Sequence, residues 1–232
     1  MKRRFNPAEL ELMDRPQPVS LELERDLHNL RQLNRFFGSY ALAGRFLKRW
    51  IKPNDRLRVL DLATGSGDIP RFMVDYARSV HADIAVDAVE AQPATLEIAK
   101  SLSAAYPEIA FHRGNILEWE GGPYDIVLCS LVLHHFGEPD AVRLLRRARE
   151  LSRAFVLVAD LRRGFLASAG VFLLTAVVFR DAMTKYDGRL SAARAFSFDE
   201  FGELARRAGW NNFRHAKFRS ARQAIWAEEL GP

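Results

Sequence analysis

The chain has 232 residues, of which 48% are hydrophobic and 27% charged, the balance of a folded globular domain and not of a disordered or fibrous chain. Its single cysteine, Cys129, lies in an apolar run, which excludes a disulfide and a multi-cysteine metal site and suits a reducing cytoplasm. A net charge of +5 and a pI of about 9.6 bring nucleic acid into consideration, while the start Met1-Lys2-Arg3-Arg4-Phe5 lacks the apolar stretch of a secretory leader.

Residues 1–19, with Pro7, Pro16 and Pro18, read as an arm or loop. Ser20 is placed to cap a helix carrying Glu22 and Glu24 in its first turns and Leu23, Leu27, Leu30 and Leu33 as an apolar stripe. Gly38 divides it from a second helix ending near Trp50. From Leu57 onward, strands alternate with helices, as in a parallel sheet covered on both faces. Strands are expected over about 57–62, 84–89, Ile109–His112, Tyr124–Leu131 and Ala154–Ala159, with helices from Ile69 to Val80 and from Pro93. Arg143, Arg146, Arg147, Arg149 and Arg153 decorate one predicted helix whose apolar face is Leu144, Leu145, Ala148 and Leu151, so much of the positive charge reads as a solvated outer surface. Gly164 to Arg180 reads as an apolar helix, with Phe165, Phe172 and Phe179 spaced by seven. It is short of the ~20 residues needed to span a bilayer, although peripheral membrane contact stays open. A helix over Phe198–Ala208 and strands near 212–218 and 222–228 end the chain.

Strand one runs straight into Thr64-Gly65-Ser66-Gly67-Asp68, a glycine-rich turn that lets backbone N–H groups approach a ligand at a helix start. About 23 residues beyond Gly67, Glu90 ends the second strand, where an α/β nucleotide site places a carboxylate on ribose hydroxyls. An adenosine-containing ligand follows. A dinucleotide would want a third glycine where Pro70 stands, and Asp61 and Asp68 would repel pyrophosphate but suit a cationic amino-acid portion.

The string Asp61-Leu62-Ala63-Thr64-Gly65-Ser66-Gly67-Asp68 resembles the first motif of class I S-adenosylmethionine (SAM)-dependent methyltransferases, and Glu90-Ala91-Gln92-Pro93 resembles that family's acidic turn. Ser197-Phe198-Asp199-Glu200 and Ala208-Gly209-Trp210 resemble the ends of its terminal helix. The resemblance spans roughly residues 55–232. It implies a doubly wound, mainly parallel, seven-stranded Rossmann-like sheet as a SAM-binding domain, with residues 1–54 as an arm and a helical cap. For the cofactor it implies Asp61, Ala63, Gly65 and Gly67 at the methionine end, Glu90 with Ala91 at the ribose, Asn115-Ile116 at the adenine, and Ser130 at the end of strand four.

Cys129-Ser130-Leu131-Val132-Leu133-His134-His135-Phe136 bears on the reaction class. The Asp/Asn-Pro-Pro-aromatic motif of enzymes that methylate exocyclic amines of bases is missing. Ser130 replaces the Asp that catechol-type enzymes use for a cation, so no metal is expected. His134 and His135 sit where open α/β sheets bind ligands, and an imidazole near its reference pKa of ~6.5 can take a proton from a phenol or enol. Adjacent histidines here resemble the small-molecule branch of the family, related to the ubiquinone and menaquinone C-methyltransferases, although those enzymes carry Arg-Asn at this place. Asp160, Tyr186, Arg189, Arg194, His28 and Tyr40 are further candidates.

The expectation is thus a cytoplasmic methyltransferase using SAM on an O or C nucleophile of a small, apolar or aromatic metabolite. An RNA or protein methyltransferase, a non-catalytic SAM-binding regulator and an NAD-dependent oxidoreductase are the alternatives.

Overall fold

The computed structural model describes residues 2–164 and 181–228. The apolar helix read from Gly164 to Arg180 lies outside them except for Gly164. Among the described residues no helix is long and apolar enough to cross a membrane.

Two helices precede the sheet. Helix α1 (Leu21–Phe36) starts where Ser20 Oγ accepts from the Leu23 N–H at 3.2 Å, and Gly38, at φ +84°, turns the chain into α2 (Ser39–Trp50). The alternating region follows in order: β1 (Arg56–Leu62), α3 (Asp68–Ser79), β2 (Asp83–Glu90), α4 (Pro93–Leu102), β3 (Ile109–Arg113), β4 (Tyr124–Ser130), α5 (Glu138–Leu151) and β5 (Ser152–Leu161). Pro93 opens α4 at a position where its missing N–H costs nothing. The chain ends with α6 (Ala182–Arg194), α7 (Phe198–Arg207), β6 (Arg214–Phe218) and β7 (Arg222–Glu228). At the start of α7, Ser197 and Glu200 form a reciprocal capping box.

The seven strands form one mixed sheet in the order β3-β2-β1-β4-β5-β7-β6. The first five are parallel neighbours, whereas β7 runs antiparallel to both β5 and β6. The central strands are apolar along their length, and side chains of period two divide between two cores. Leu60, Leu62, Val127, Cys129 and Val158 pack with Leu144, Leu145 and Ala148 of α5 and Phe201 and Leu204 of α7. Val59, Ile126, Leu128 and Leu157 pack with Leu47 and Trp50 of α2 and Met73 and Val74 of α3. The chain reverses direction across the sheet between β1 and β4, and open α/β folds bind ligands at the carboxyl ends of strands flanking such a point.

Two sequence expectations need correction. Arg153 does not belong to the arginine-bearing helix: it is the second residue of β5, with Nη2 2.7 Å from Asp125 Oδ1. Helix α6 occupies a stretch in which no regular element was expected. It has no apolar stripe of helical period, and its visible signal is Asp181, whose side chain accepts from the Thr184 N–H at 3.1 Å. On α5, Leu144, Leu145, Ala148 and Leu151 are buried as expected, and Arg143 and Arg147 pair with Glu118 and Glu150. Two of the four arginines on that helix are therefore already answered by carboxylates.

Candidate active site

The carboxyl ends of β1, β2 and β4 open onto a cavity of about 440 Å³, within the range of small-molecule sites. It has two halves of different origin.

The first half comes from one continuous stretch, residues 61–116. After β1, Ala63, Gly65 and Gly67 adopt positive φ values of 61°, 55° and 71°, a conformation open to glycine at no steric cost and strained at Ala63. Backbone bonds hold the turn: the Thr64 N–H donates to Val89 O at 2.9 Å, and the Gly67 N–H to Thr64 O at 2.9 Å. Glu90 completes it, its Oε2 accepting from the Gly65 N–H at 3.0 Å and its Oε1 from the Gln92 N–H at 2.9 Å. One carboxylate therefore joins the glycine turn to the acidic turn.

Asp61, Asp68 and Glu90 are all buried here. Burial, then the neighbouring Asp68 and Glu90 charges, pushes the Asp61 carboxyl up to about 7. Burial also raises Glu90, against the N–H groups of Gln92 and Gly65. Asp61 has no ion-pair partner among the described residues, so its surroundings suit a cationic ligand group. Asp68 Oδ2 accepts from Asn34 Nδ2 at 3.1 Å and from Tyr40 OH at 2.9 Å, which ties α1 and α2 to the turn.

The second half is assembled from distant pieces. Past β4, Leu131 takes a positive φ of 58° and residues Leu133–His135 form one 3-10 turn. Asp160, near the end of β5, fixes that turn: its Oδ2 accepts from the His134 N–H at 2.9 Å, and its Oδ1 lies 2.6 Å from His134 Nδ1. Burial would raise the Asp160 carboxyl, but His134 outweighs it and holds the group below its ordinary value.

The arm supplies the opposing wall. Residues Leu12–Asp14 form a 3-10 turn whose Leu12 and Met13 N–H groups donate to Asp187 of α6 at 2.6 and 3.0 Å. This aims Glu11 and Asp14 inward. Glu11 Oε1 accepts from Ser191 Oγ at 2.7 Å, and Asp14 Oδ2 lies 2.8 Å from His135 Nδ1. Burial pulls the His135 pKa down, but Glu11 and Asp14 outweigh it and push the imidazole up to about 9. Met13, with Leu27, Leu30 and Leu33 of α1, gives this side an apolar surface.

Of the residues selected from sequence, Asp61, Ala63, Gly65, Glu90, Ala91, Asn115, Ile116, Ser130, His134 and His135 all line the cavity. Gly67 is not among its lining residues. A Cβ there would stand 2.9 Å from Phe111 Cζ, so its bare Cα makes room for that ring. Asn115 also closes a local turn, its Oδ1 accepting from the Leu117 N–H at 3.0 Å. Asp160, Tyr40 and Arg194 stand behind the site. Arg194 is buried and donates to Asn6 O at 3.1 Å, holding the arm. His28 and Tyr186 are not among the lining residues and are bonded to Arg31 and to Glu9.

Glu11, Asp14 and Asp187 escaped the sequence reading. Their signal is faint: Glu11 and Asp14 alternate with Leu10, Leu12 and Met13 in an otherwise polar arm. Glu11, His134 and His135 bring three ligand atoms within 4.8 Å of one another, a set the expectation of no metal did not foresee.

Residues 59–154 match the family described as a methyltransferase domain. No curated protein sequence is significantly similar to the chain. Among solved structures, that of the S-adenosylmethionine-dependent methyltransferase SibL in its apo form shares 20% identity at a TM-score of 0.63, over 89% of this chain and 58% of that one. Human N-acetylserotonin methyltransferase in complex with SAM shares 18% identity at a TM-score of 0.61, over 91% of this chain and 57% of that one. The plantazolicin methyltransferase BpumL in complex with SAH shares 11% identity at 0.58, over 88% and 85%. The chain spans about half of several such proteins, between 48% and 59% in six of them.

Proposed function

We propose that the chain, whose residues 59–154 match a methyltransferase domain, transfers a methyl group from SAM to an oxygen or carbon nucleophile of a small, largely apolar acceptor. The observation that carries the cofactor is the trio Asp61, Asp68 and Glu90 around the glycine turn, with Asp61 buried and held near neutrality by burial and by the two other carboxylates. SAM, when bound, supplies an ammonium group and a methyl group carried on a sulfonium.

In this reading Asp61 and the Gly65 turn hold the methionine end, Glu90 with Ala91 holds the ribose hydroxyls, and Asn115 and Ile116 flank the adenine. Ser130 stands between the two halves. His134 and His135 favour the deprotonated acceptor, with Asp160 and Asp14 fixing their rings. Residues 1–54 form the cap, since Asn34 and Tyr40 are bonded to Asp68 and α1 lines the cavity. Met13, Leu27, Leu30 and Leu33 exclude water and favour an apolar or aromatic acceptor.

Calorimetric titration of the full chain with SAM, S-adenosylhomocysteine and NAD tests this directly. Binding of the first two and not of NAD is expected, and a chain that binds neither overturns the reading.

The same titration run across pH reports on Asp61. Its folded pKa lies above the ordinary carboxylate value, so its contribution to stability is present at low pH and is lost as pH rises through about 7. A cationic ligand prefers the ionised form, so SAM affinity should fall as pH drops below about 7. Asp61→Asn should flatten that dependence and weaken SAM, while raising the melting temperature of the ligand-free chain at pH 8. A SAM affinity that is level from pH 6 to 8.5 in the parent chain would separate Asp61 from the ligand.

A further inference from the structure

Glu11, His134 and His135 have an arrangement that proton transfer alone does not require. Each imidazole turns Nδ1 to a carboxylate, His134 to Asp160 at 2.6 Å and His135 to Asp14 at 2.8 Å. Both Nε2 atoms therefore face the third carboxylate: His134 Nε2 is 3.8 Å from Glu11 Oε1, and His135 Nε2 is 3.8 Å from Glu11 Oε2. Such separations are too long for hydrogen bonds. They fall within the ~4.2 Å that two ligands of one ion can span when each sits ~2.1 Å from it. The side chains of Glu11 and His134 are each 4% exposed, and that of His135 is 19% exposed towards the cavity.

We propose that Glu11, His134 and His135 form a binding site for one divalent transition-metal ion of the zinc class, with Asp160 and Asp14 as the partners that orient the two imidazoles. Three features of the built geometry support it. Metal-bound histidines characteristically donate their other ring N–H to a carboxylate, which fixes the tautomer and turns the free nitrogen to the metal. Two imidazoles and one carboxylate suit zinc and its neighbours better than magnesium or calcium, which prefer oxygen ligands. Glu11 is itself aimed by Ser191 Oγ at 2.7 Å and by the Asp187 grip on Leu12 and Met13, so it is not a carboxylate that strayed into the site. Bringing the three ligand atoms from within 4.8 Å of one another to metal distances takes side-chain shifts on the order of 0.5 Å.

Three protein ligands leave a position open on a tetrahedral ion, and here the cavity adjoins it. An acceptor oxygen, as a phenolate or enolate, is the ligand chemistry that position takes. The metal claim stands on geometry alone. The role it gives the metal deepens the methyl-transfer reading and rests on it.

The test uses the full chain after chelator treatment, titrated with Zn²⁺ alone by calorimetry and with Co²⁺ while following its visible absorption. One ion per chain and the intense visible bands of a four-coordinate cobalt centre are expected. Glu11→Gln and His135→Gln should each weaken binding at least ~100-fold, and Asp14→Asn should weaken it by ~10-fold through its histidine. His112→Asn, on β3, should leave it unchanged. Thermal unfolding of each variant reports whether a loss reflects misfolding, and Glu11, on the arm outside the sheet, is the variant least exposed to that objection. No stoichiometric binding, or binding that survives Glu11→Gln and His135→Gln in folded protein, overturns the site. Either result leaves the SAM titration free to succeed or fail by itself.

Discussion

Glu90→Ala should weaken SAM binding by roughly 10²- to 10⁴-fold while leaving the ligand-free chain folded. The side chain makes two carboxylate–N–H contacts, to Gly65 and Gln92, and it is proposed to accept from two ribose hydroxyls with its remaining lone pairs. Two lost hydrogen bonds to a charged acceptor, at ~1.5–3 kcal/mol each, give the stated range. Loss of the turn's clamp adds to it, because the Gly65 N–H is then no longer fixed. Burial disfavours the ionised Glu90, so its removal relieves a cost in the ligand-free chain, and the melting temperature should hold or rise. Glu90→Gln separates the two effects. A carboxamide can accept at one oxygen only, so its NH₂ must face either the Gly65 or the Gln92 N–H. Calorimetry on both variants checks the claim, and an unchanged SAM affinity in Glu90→Ala removes Glu90 from the ribose.

The second large effect is expected on the opposite side of the cavity. Replacing His134 and His135 together by asparagine should lower turnover by ~10²- to 10⁴-fold, the range for loss of a group that handles a reacting proton. SAM affinity should change by less than ~3-fold, since neither imidazole belongs to the 61–116 stretch. Asparagine retains hydrogen-bonding capacity for Asp160 and Asp14, which limits the cost of leaving buried carboxylates unpaired. The assay needs an acceptor, and a screen of phenols and quinones with radiolabelled SAM supplies one. Turnover preserved in the double variant would make both rings scaffolding.

The sheet and the glycine-turn half of the cavity were largely legible in the sequence. Strong local signals coincide there: apolar runs that become Arg56–Leu62 and Tyr124–Ser130, the bare glycines of the turn, and Pro93 at a helix start. Each is a short-range constraint, readable within ten residues. At Gly67 the bare Cα that the turn pattern singles out also makes room for the Phe111 ring of β3, a packing demand that the pattern does not carry. The half built on the turn after β4 was legible only at His134, His135 and Asp160. Glu11 and Asp14 reach the site through Asp187, 175 residues away from Leu12 along the chain, and no local periodicity encodes that bond. Helix α6 stayed hidden because its two sides do not differ in polarity, and its buried groups include Thr184, Asp187 and Ser191.

The unequal origin of the two halves has an evolutionary meaning. The half proposed to hold the donor is one contiguous stretch, residues 61–116, under a tight backbone constraint at its turn. The lining proposed to face the acceptor is scattered from residue 11 to residue 222 on an arm, a helix surface and loop edges, where side chains can vary without disturbing the turn beneath. On the proposed reading, drift at Met13, Leu27 or Leu30 would retarget the acceptor while the turn's chemistry stays intact, as befits a scaffold that carries many substrates on one reaction.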